Sequence, residues 1–388
     1  MRLLFFSPQP LGASAEDRAF VSLAREARRV GHRASLLSVA APGACAALPR
    51  EVTETVQLPF LPPSMQSTAG AAAFDALDEE DLDRYLEAFE RGLVRAAKRF
   101  DPQLVHVNYL WLGAAMARSI LHDVPVVASC HSVDLENAGR CPQLLRRVIP
   151  PVRELQAVFT CTQGESRGAG SAYGIRSDRL QQLCRGVDTQ RYRPPETTAT
   201  ASFASAVERW SLPLPVRPTL RVMVLADADD PELPLLINAL RSTCEGAGGP
   251  IAVLCLDGDA MTSPSEEDGV FVIGASSEEV RAELLRGSHL VIPRGSAAEI
   301  LGYTLEALAC GCRVLLTCEK LTAWPTDEVL AKGVLRVAPE AAAISAAVSE
   351  LLSRSREGRL DKTALYVASR MSWEAIFRSV ERVYAAAL

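Results

Sequence analysis

Short apolar runs alternate with longer amphipathic stretches along most of this chain, and the alternation breaks off once and then restarts. Residues 3–6 form an apolar run, a turn-rich loop follows to about Ala15, and residues 16–30 carry a helical pattern that Gly31 closes in the manner of a C-cap. A second apolar run covers residues 34–39. Strand, loop, helix, strand is the unit of a parallel sheet, because parallel neighbours need a crossover between them. Leu82, Tyr85, Leu86, Phe89, Leu93 and Ala97 fall at helical spacing within 82–100, and Asp101-Pro102 ends that helix ahead of an apolar run at 104–107. A helix over 112–121 then leads to strands at 126–129 and 157–160.

The stretch 193–218 is different. It holds Pro194, Pro195, Pro213, Pro215 and Pro218 around a middle rich in Thr, Ala and Ser, and reads as an interdomain connection. Beyond it, strands are expected at 220–225, 251–256, 270–273, 290–292 and 314–316, with helices at 233–240, 278–286 and 305–309. A length of 388 residues agrees with two domains at ~150 residues each. The fold class implied is α/β: two Rossmann-like domains with ligands beyond the carboxyl ends of the strands, in a cleft between the domains. The expected boundaries are 1–193 for the first domain, 194–218 for the linker, 219–371 for the second domain and 372–388 for a terminal helix.

Composition removes several classes of function. The chain is 48% hydrophobic and 23% charged, an ordinary globular balance. With 41 Lys plus Arg against 47 Asp plus Glu it lacks the clustered cations that bind polyanions, so no nucleic-acid partner is expected. Ten cysteines are too sparse for a disulfide scaffold, and Cys310 and Cys312 do not make a Cys-x-x-Cys pattern. No metal site follows from them; they read as small buried residues in a reducing compartment. The opening apolar run is too short for a signal peptide, and no run approaches the ~20 apolar residues of a membrane span. A cytoplasmic protein without a transmembrane segment is the expectation.

Four segments, in order, carry a family resemblance. Asp101-Pro102-Gln103-Leu104-Val105-His106 fits a D-x-x-x-x-H strand, and His131-Ser132-Val133-Asp134 resembles an H-G-x-D loop. Residues 185–194, Arg-Gly-Val-Asp-Thr-Gln-Arg-Tyr-Arg-Pro, are similar to N-G-V-D-x-x-x-F-x-P. Residues 299–311 resemble an acidic E-G-F-G-x-x-x-x-E-A-x-A-x-G motif that ends here in Ala307-Leu308-Ala309-Cys310-Gly311. The chain resembles the retaining glycosyltransferases of the family-four type, which have the two-domain GT-B fold. The resemblance runs over nearly the whole length, and Ser372-Trp373-Glu374 begins the final helix that in this family crosses back to the N-terminal domain.

The resemblance implies transfer of a sugar from a nucleotide-sugar donor, UDP-linked, to an acceptor hydroxyl with retention. The donor is a substrate bound on the C-terminal side, the acceptor enters from the N-terminal side, no cofactor is implied, and the diphosphate itself helps deprotonate the acceptor. Glu306 matches the glutamate that accepts hydrogen bonds from the ribose hydroxyls; the alternative is a surface glutamate in a first helical turn. Gly302, Tyr303 and Thr304 come from the same motif and are expected at the donor. Glu299 is expected to reach the hexose, and His131 to hydrogen-bond the transferred sugar or a phosphate oxygen, against the alternative of a structural histidine. Gly12, in the loop after the first strand, offers backbone N–H groups to phosphate or acceptor, with an ordinary loop as the alternative. His106 reads as core and Asp188 as the cap of a turn.

Two departures stand against this reading. The family's Arg and Lys that bind the diphosphate, in a segment like G-R-L-x-x-x-K-G, align with Ala226 and Pro231, among Asp227, Asp229, Asp230 and Glu232. The family has seven residues between its two glutamates, whereas Glu299 and Glu306 have six, and strict spacing selects Ala298. Arg185, Arg294 and Lys320 lie near the matched motifs, either as replacement charge or as ordinary surface cations. Asp227, Asp229 and Asp230 form either a metal bridge to a diphosphate or a solvated acidic loop. A catalytically degenerate protein serving a partner transferase, or an epimerase of nucleotide sugars, remain as rival readings.

Overall fold

The computed structural model describes residues 1–11, 14–40, 52–57, 74–215, 220–227, 230–247, 250–257, 270–275, 277–317, 327–355 and 360–388. They divide into two compact units, Met1–Arg185 with Trp373–Leu388, and Gly186–Ser372.

The first unit begins β1 (Arg2–Phe6), α1 (Ala15–Arg29), β2 (Arg33–Ala40), β3 (Glu54–Gln57), α2 (Glu79–Phe100), β4 (Leu104–Val107) and α3 (Leu112–Ile120). It continues with β5 (Val126–Cys130), α4 (Ser132–Arg140), α5 (Leu145–Val152), β6 (Ala157–Thr160), α6 (Gln163–Tyr173) and β7 (Leu180–Gln182). The seven strands are parallel, in the order β3-β2-β1-β4-β5-β6-β7. Both faces are buried, which is why β1 is apolar from Leu3 to Phe6 rather than alternating. Leu4 and Phe6 enter the core with Leu82, Tyr85 and Phe89 of α2. Leu3 and Phe5 enter the other, with Phe20 and Ala24 of α1.

The second unit contains α7 (Ala199–Arg209), β8 (Leu220–Asp227), α8 (Leu233–Ala247), β9 (Pro250–Asp257), β10 (Val270–Ala275), α9 (Glu278–Gly287) and β11 (Leu290–Pro293). After these come α10 (Ala297–Ala309), β12 (Arg313–Leu316), α11 (Glu328–Ala331), β13 (Val334–Arg336), α12 (Ala341–Ser355) and α13 (Asp361–Arg370). Its six strands are also parallel, in the order β10-β9-β8-β11-β12-β13. The last helix, α14 (Trp373–Ala387), returns to the first unit and lays Ile376, Phe377, Val380 and Tyr384 on the same face as Phe5 and Phe20.

Two expectations are corrected. Residues 194–218 are not simply a linker. Thr198 caps α7 by accepting from the Ala201 N–H, and Phe203, Ala206 and Val207 are buried. Gly287, at the end of α9, allows the close approach: a Cβ there would stand 2.8 Å from the Cα of Phe203. The change of unit falls after Arg185 instead. The helix expected at 305–309 begins at Ala297, because Ser296 and Glu299 form a capping box well ahead of it.

Each sheet runs outward in both directions from its first strand, so strand order reverses once in each: between β1 and β4, and between β8 and β11. Ligands of such sheets bind at the carboxyl side of that reversal.

Candidate functional site

Polar residues gather at the carboxyl end of each sheet. In the first unit, Ser14 accepts the Asp17 N–H at 3.0 Å and starts α1 there. Asn108, just past β4, donates from Nδ2 to Asp17 Oδ1 at 3.2 Å, and the Tyr109 hydroxyl donates to the same oxygen at 3.1 Å. Asp17, Asn108 and Tyr109 are all buried, and burial with the facing Asp17 charge holds the Tyr109 hydroxyl well above the ordinary tyrosine range. His131 follows β5, is half-buried, and brings Nε2 to 3.4 Å from Asn108 Oδ1, its ring 5.2 Å from that of Tyr109. Its backbone N–H donates to Asp134 Oδ2 at 2.8 Å, which fixes the start of α4. Asp134 is fully buried, and burial pushes its carboxyl well above the usual range. Asp134 Oδ1 and Glu16 Oε2 are buried acceptors with no hydrogen-bond partner among the described residues. His131 is thus held from two sides, its ring facing Asn108 and its backbone N–H bonded to Asp134. Gly12 lies outside the described residues. Arg185 ends this unit, within electrostatic reach of Cys161 and Cys184.

In the second unit the reversal between β8 and β11 is occupied by an ion-pair fork. Arg294, immediately after β11, donates from Nε to Asp230 Oδ2 at 3.0 Å, from one terminal nitrogen to Asp230 Oδ1 at 3.2 Å and Glu232 Oε2 at 2.5 Å, and from the other to Thr317 Oγ1 at 3.0 Å. Burial, the largest single influence on it, disfavours the charge, but Asp230 and Glu232 together raise the Arg294 pKa. The reading of Arg294 as a surface cation is therefore corrected: it is 7% exposed and is the counter-ion of Asp230 and Glu232. Asp230, also buried at its side chain, is part of that fork and not of a solvated loop. Asp229 and Lys320 lie outside the described residues, and among these no group of three ligands able to hold a metal occurs.

The acidic motif lies on α10. Glu299 accepts the Ser296 N–H at 2.7 Å while Ser296 Oγ accepts the Glu299 N–H at 3.2 Å, so this carboxylate closes the amino end of its own helix. Glu306 is seven residues on, in the last turn rather than the first. A carboxylate at that end faces the negative pole of the helix dipole and needs a cation. Arg281 of α9 supplies it: Nε reaches Glu306 Oε2 at 3.2 Å, a terminal nitrogen donates to the Tyr192 hydroxyl at 3.1 Å, and the guanidinium lies 5.4 Å from the centre of the Tyr303 ring. Burial opposes the Arg281 charge, yet Glu306 and its neighbours outweigh it, so Arg281 stays charged well above the ordinary arginine value. The Arg281 side chain is 5% exposed and that of Glu306 12%, which leaves the carboxylate a narrow face to solvent. Gly302, Tyr303 and Thr304 are buried in α10, and the Thr304 hydroxyl donates to Ile300 O at 2.6 Å. Asp188 caps its turn, accepting from the Gln190 and Arg191 N–H groups at 3.1 and 3.2 Å.

Sequence reasoning missed Arg281. The signal was present: helical spacing sets it three and four residues before Leu284 and Leu285, on the apolar face of α9, where an arginine needs a buried partner.

Residues 17–191 match the model of Glycosyltransferase Family 4. A protein of Xylanimonas cellulosilytica named D-inositol 3-phosphate glycosyltransferase is 28% identical over 344 residues, which cover 82% of this chain and 80% of that one. Among solved structures, Anabaena HepE in complex with UDP and glucose superposes with a TM-score of 0.69 at 15% identity, covering 100% of both chains. Sucrose-phosphate synthase of Thermosynechococcus elongatus gives 0.67 at 15% identity, over 100% of this chain and 99% of that one. At such identities these structures speak for the fold, which is GT-B.

Proposed function

We propose that this chain is a glycosyltransferase of the family-four, GT-B type and that it moves a sugar from a UDP-linked donor to an acceptor hydroxyl with retention of anomeric configuration. The observation that carries the reading is the Glu306 carboxylate: it is ion-paired by a buried arginine, held by a tyrosine-anchored fork, and still open on one face. A fixed carboxylate of this kind accepts two hydrogen bonds from the neighbouring hydroxyls of a ribose without reorganising. The relative named D-inositol 3-phosphate glycosyltransferase and the neighbour solved with UDP and glucose support a nucleotide sugar as donor and a polyol as acceptor. His131, oriented by Asn108, hydrogen-bonds the transferred sugar or a phosphate oxygen, and the diphosphate takes the acceptor proton.

A second reading has its own observation. Arg294 is the buried cation at the reversal of the second sheet, and Asp230 and Glu232 neutralise it. Losing one electrostatic donor to a leaving group typically slows transfer by ~100- to 1000-fold. A binding subunit with little turnover of its own is consistent with that.

Calorimetric titration of the whole chain with UDP, GDP and ADP, with Glu306→Ala alongside, tests the first reading. UDP is expected to bind and Glu306→Ala to weaken it about 10- to 100-fold, as for a charged hydrogen-bond pair. Binding by neither protein would sink it. Binding without turnover of UDP-sugars on any polyol would favour the second reading.

A further inference from the structure

We propose that Arg281 is the positioning residue of the donor site: it holds the Glu306 carboxylate in the single orientation that reads the paired hydroxyls of a ribose. The inference rests on the nucleotide-sugar reading above and adds a residue outside every segment that carried the family resemblance. Four observations converge on it. Glu306 sits in the last turn of α10, where the helix dipole opposes a negative charge. Arg281 comes from a different helix, α9, and engages Glu306 through Nε while its terminal nitrogen is held by the Tyr192 hydroxyl. The guanidinium carbon lies over the ring of Tyr303, 5.4 Å from its centre, and Tyr303 is itself on α10 three residues before Glu306. Glu278 stands 4.0 Å from the same terminal nitrogen.

Nε, a terminal nitrogen and the central carbon of one planar group thus each meet a different partner. That arrangement needs arginine, because the ammonium of lysine is a point charge on a flexible stem and cannot fill three directions at once. It also joins two separate sequence segments: Tyr192 belongs to the 185–194 motif and Glu306 to the 299–311 motif, and the Arg281 side chain bonds to both. The salt bridge takes one lone pair of Oε2, so the carboxylate retains acceptor capacity for two hydroxyls. Burial of the pair has a further effect: little water reaches it, so the carboxylate orientation is set by the arginine fork rather than by solvent.

The readout is the preference for UDP over 2′,3′-dideoxy-UDP, measured by calorimetry on the full chain and on Arg281→Lys, Arg281→Met and Tyr192→Phe. The wild-type protein is expected to favour UDP by at least about 10- to 100-fold, the worth of a single hydrogen bond to a charged group. Arg281→Met should bring the preference below about threefold, Arg281→Lys should restore only part of it, and Tyr192→Phe should fall between lysine and wild type. In kinetics the donor KM rises more than kcat falls, because a bound-state contact is lost. A merely structural arginine would lower the melting temperature of all three variants and leave the UDP preference of the folded fraction intact, which overturns the inference while the donor reading stands. Should Arg281→Met not fold, an unchanged preference in Tyr192→Phe and Arg281→Lys together overturns it equally. Absence of any UDP binding in the wild-type protein overturns the donor reading, and the inference with it.

Discussion

At position 106 a histidine lies within β4, with Nδ1 2.5 Å from the Tyr384 hydroxyl and Nε2 2.9 Å from Ser129 Oγ, among the rings of Phe5, Phe20 and Phe159. It is core, as its apolar neighbours in sequence imply. Burial, with His131 nearby, lowers its pKa to about 3. The folded state therefore holds it neutral while the unfolded chain takes up a proton near 6.5. Stability from this residue is complete above pH 6.5 and declines as pH falls from there toward 3. Between pH 7.5 and 5.5 the decline should be about 1.4 kcal/mol. Hydrogen exchange of the β4 amides should show it in the wild-type protein relative to His106→Gln, and equal slopes in the two proteins would refute it. His131, the other histidine drawn from the motifs, differs in one physical respect: it stands after its strand and not within it, half-exposed and facing Asn108.

Among the elements, α10 shows best where local sequence suffices and where it does not. Ser296-x-x-Glu299 is a start signal readable from sequence, yet the Gly302-Tyr303-Thr304 stretch lowers helix propensity and obscures the turns between it and Glu306. Packing restores them: Ile300, Leu301, Leu305 and Leu308 are buried at 1%, 2%, 0% and 0% exposure. Capping and sugar contact by Glu299 can be separated. Glutamine at this position keeps the reciprocal bond and should leave the unfolding midpoint unchanged, whereas Glu299→Ala should destabilise by about 1 kcal/mol. If Glu299 reaches the hexose, Glu299→Gln loses donor turnover at unchanged stability; unchanged kcat/KM in that variant assigns the side chain to the cap alone. The central strands were legible because a parallel strand buried on both faces is apolar throughout. β7 and β13, three residues each and only half-buried, carry no such run, and β3 was missed beside them.

Over the whole molecule, the sheet of the first unit is completed by the last residues of the chain. Ile376, Phe377, Val380 and Tyr384 are 6%, 0%, 0% and 0% exposed. At ~1.5–3 kcal/mol for each buried side chain, α14 contributes about 6–12 kcal/mol, as much as the net stability of a typical domain. A chain ending at Ser372 should therefore lose exchange protection at the β1 and β4 amides while β8 and β11 keep theirs, and retained protection at β1 would contradict this. Alternation, glycine and proline placement and capping signals are local properties, so two parallel α/β sheets, their approximate strands and the family motifs could be read along the chain. Which side chains meet is a property of distance in space. The Arg281 fork joins Tyr192 and Glu306 across 114 positions, the Arg294 fork gathers Asp230 and Glu232 from beyond another strand, and the proline-rich stretch becomes a packed helix because Gly287 leaves it room. Those pairings depend on burial and charge balance in the folded core, which no window of sequence contains.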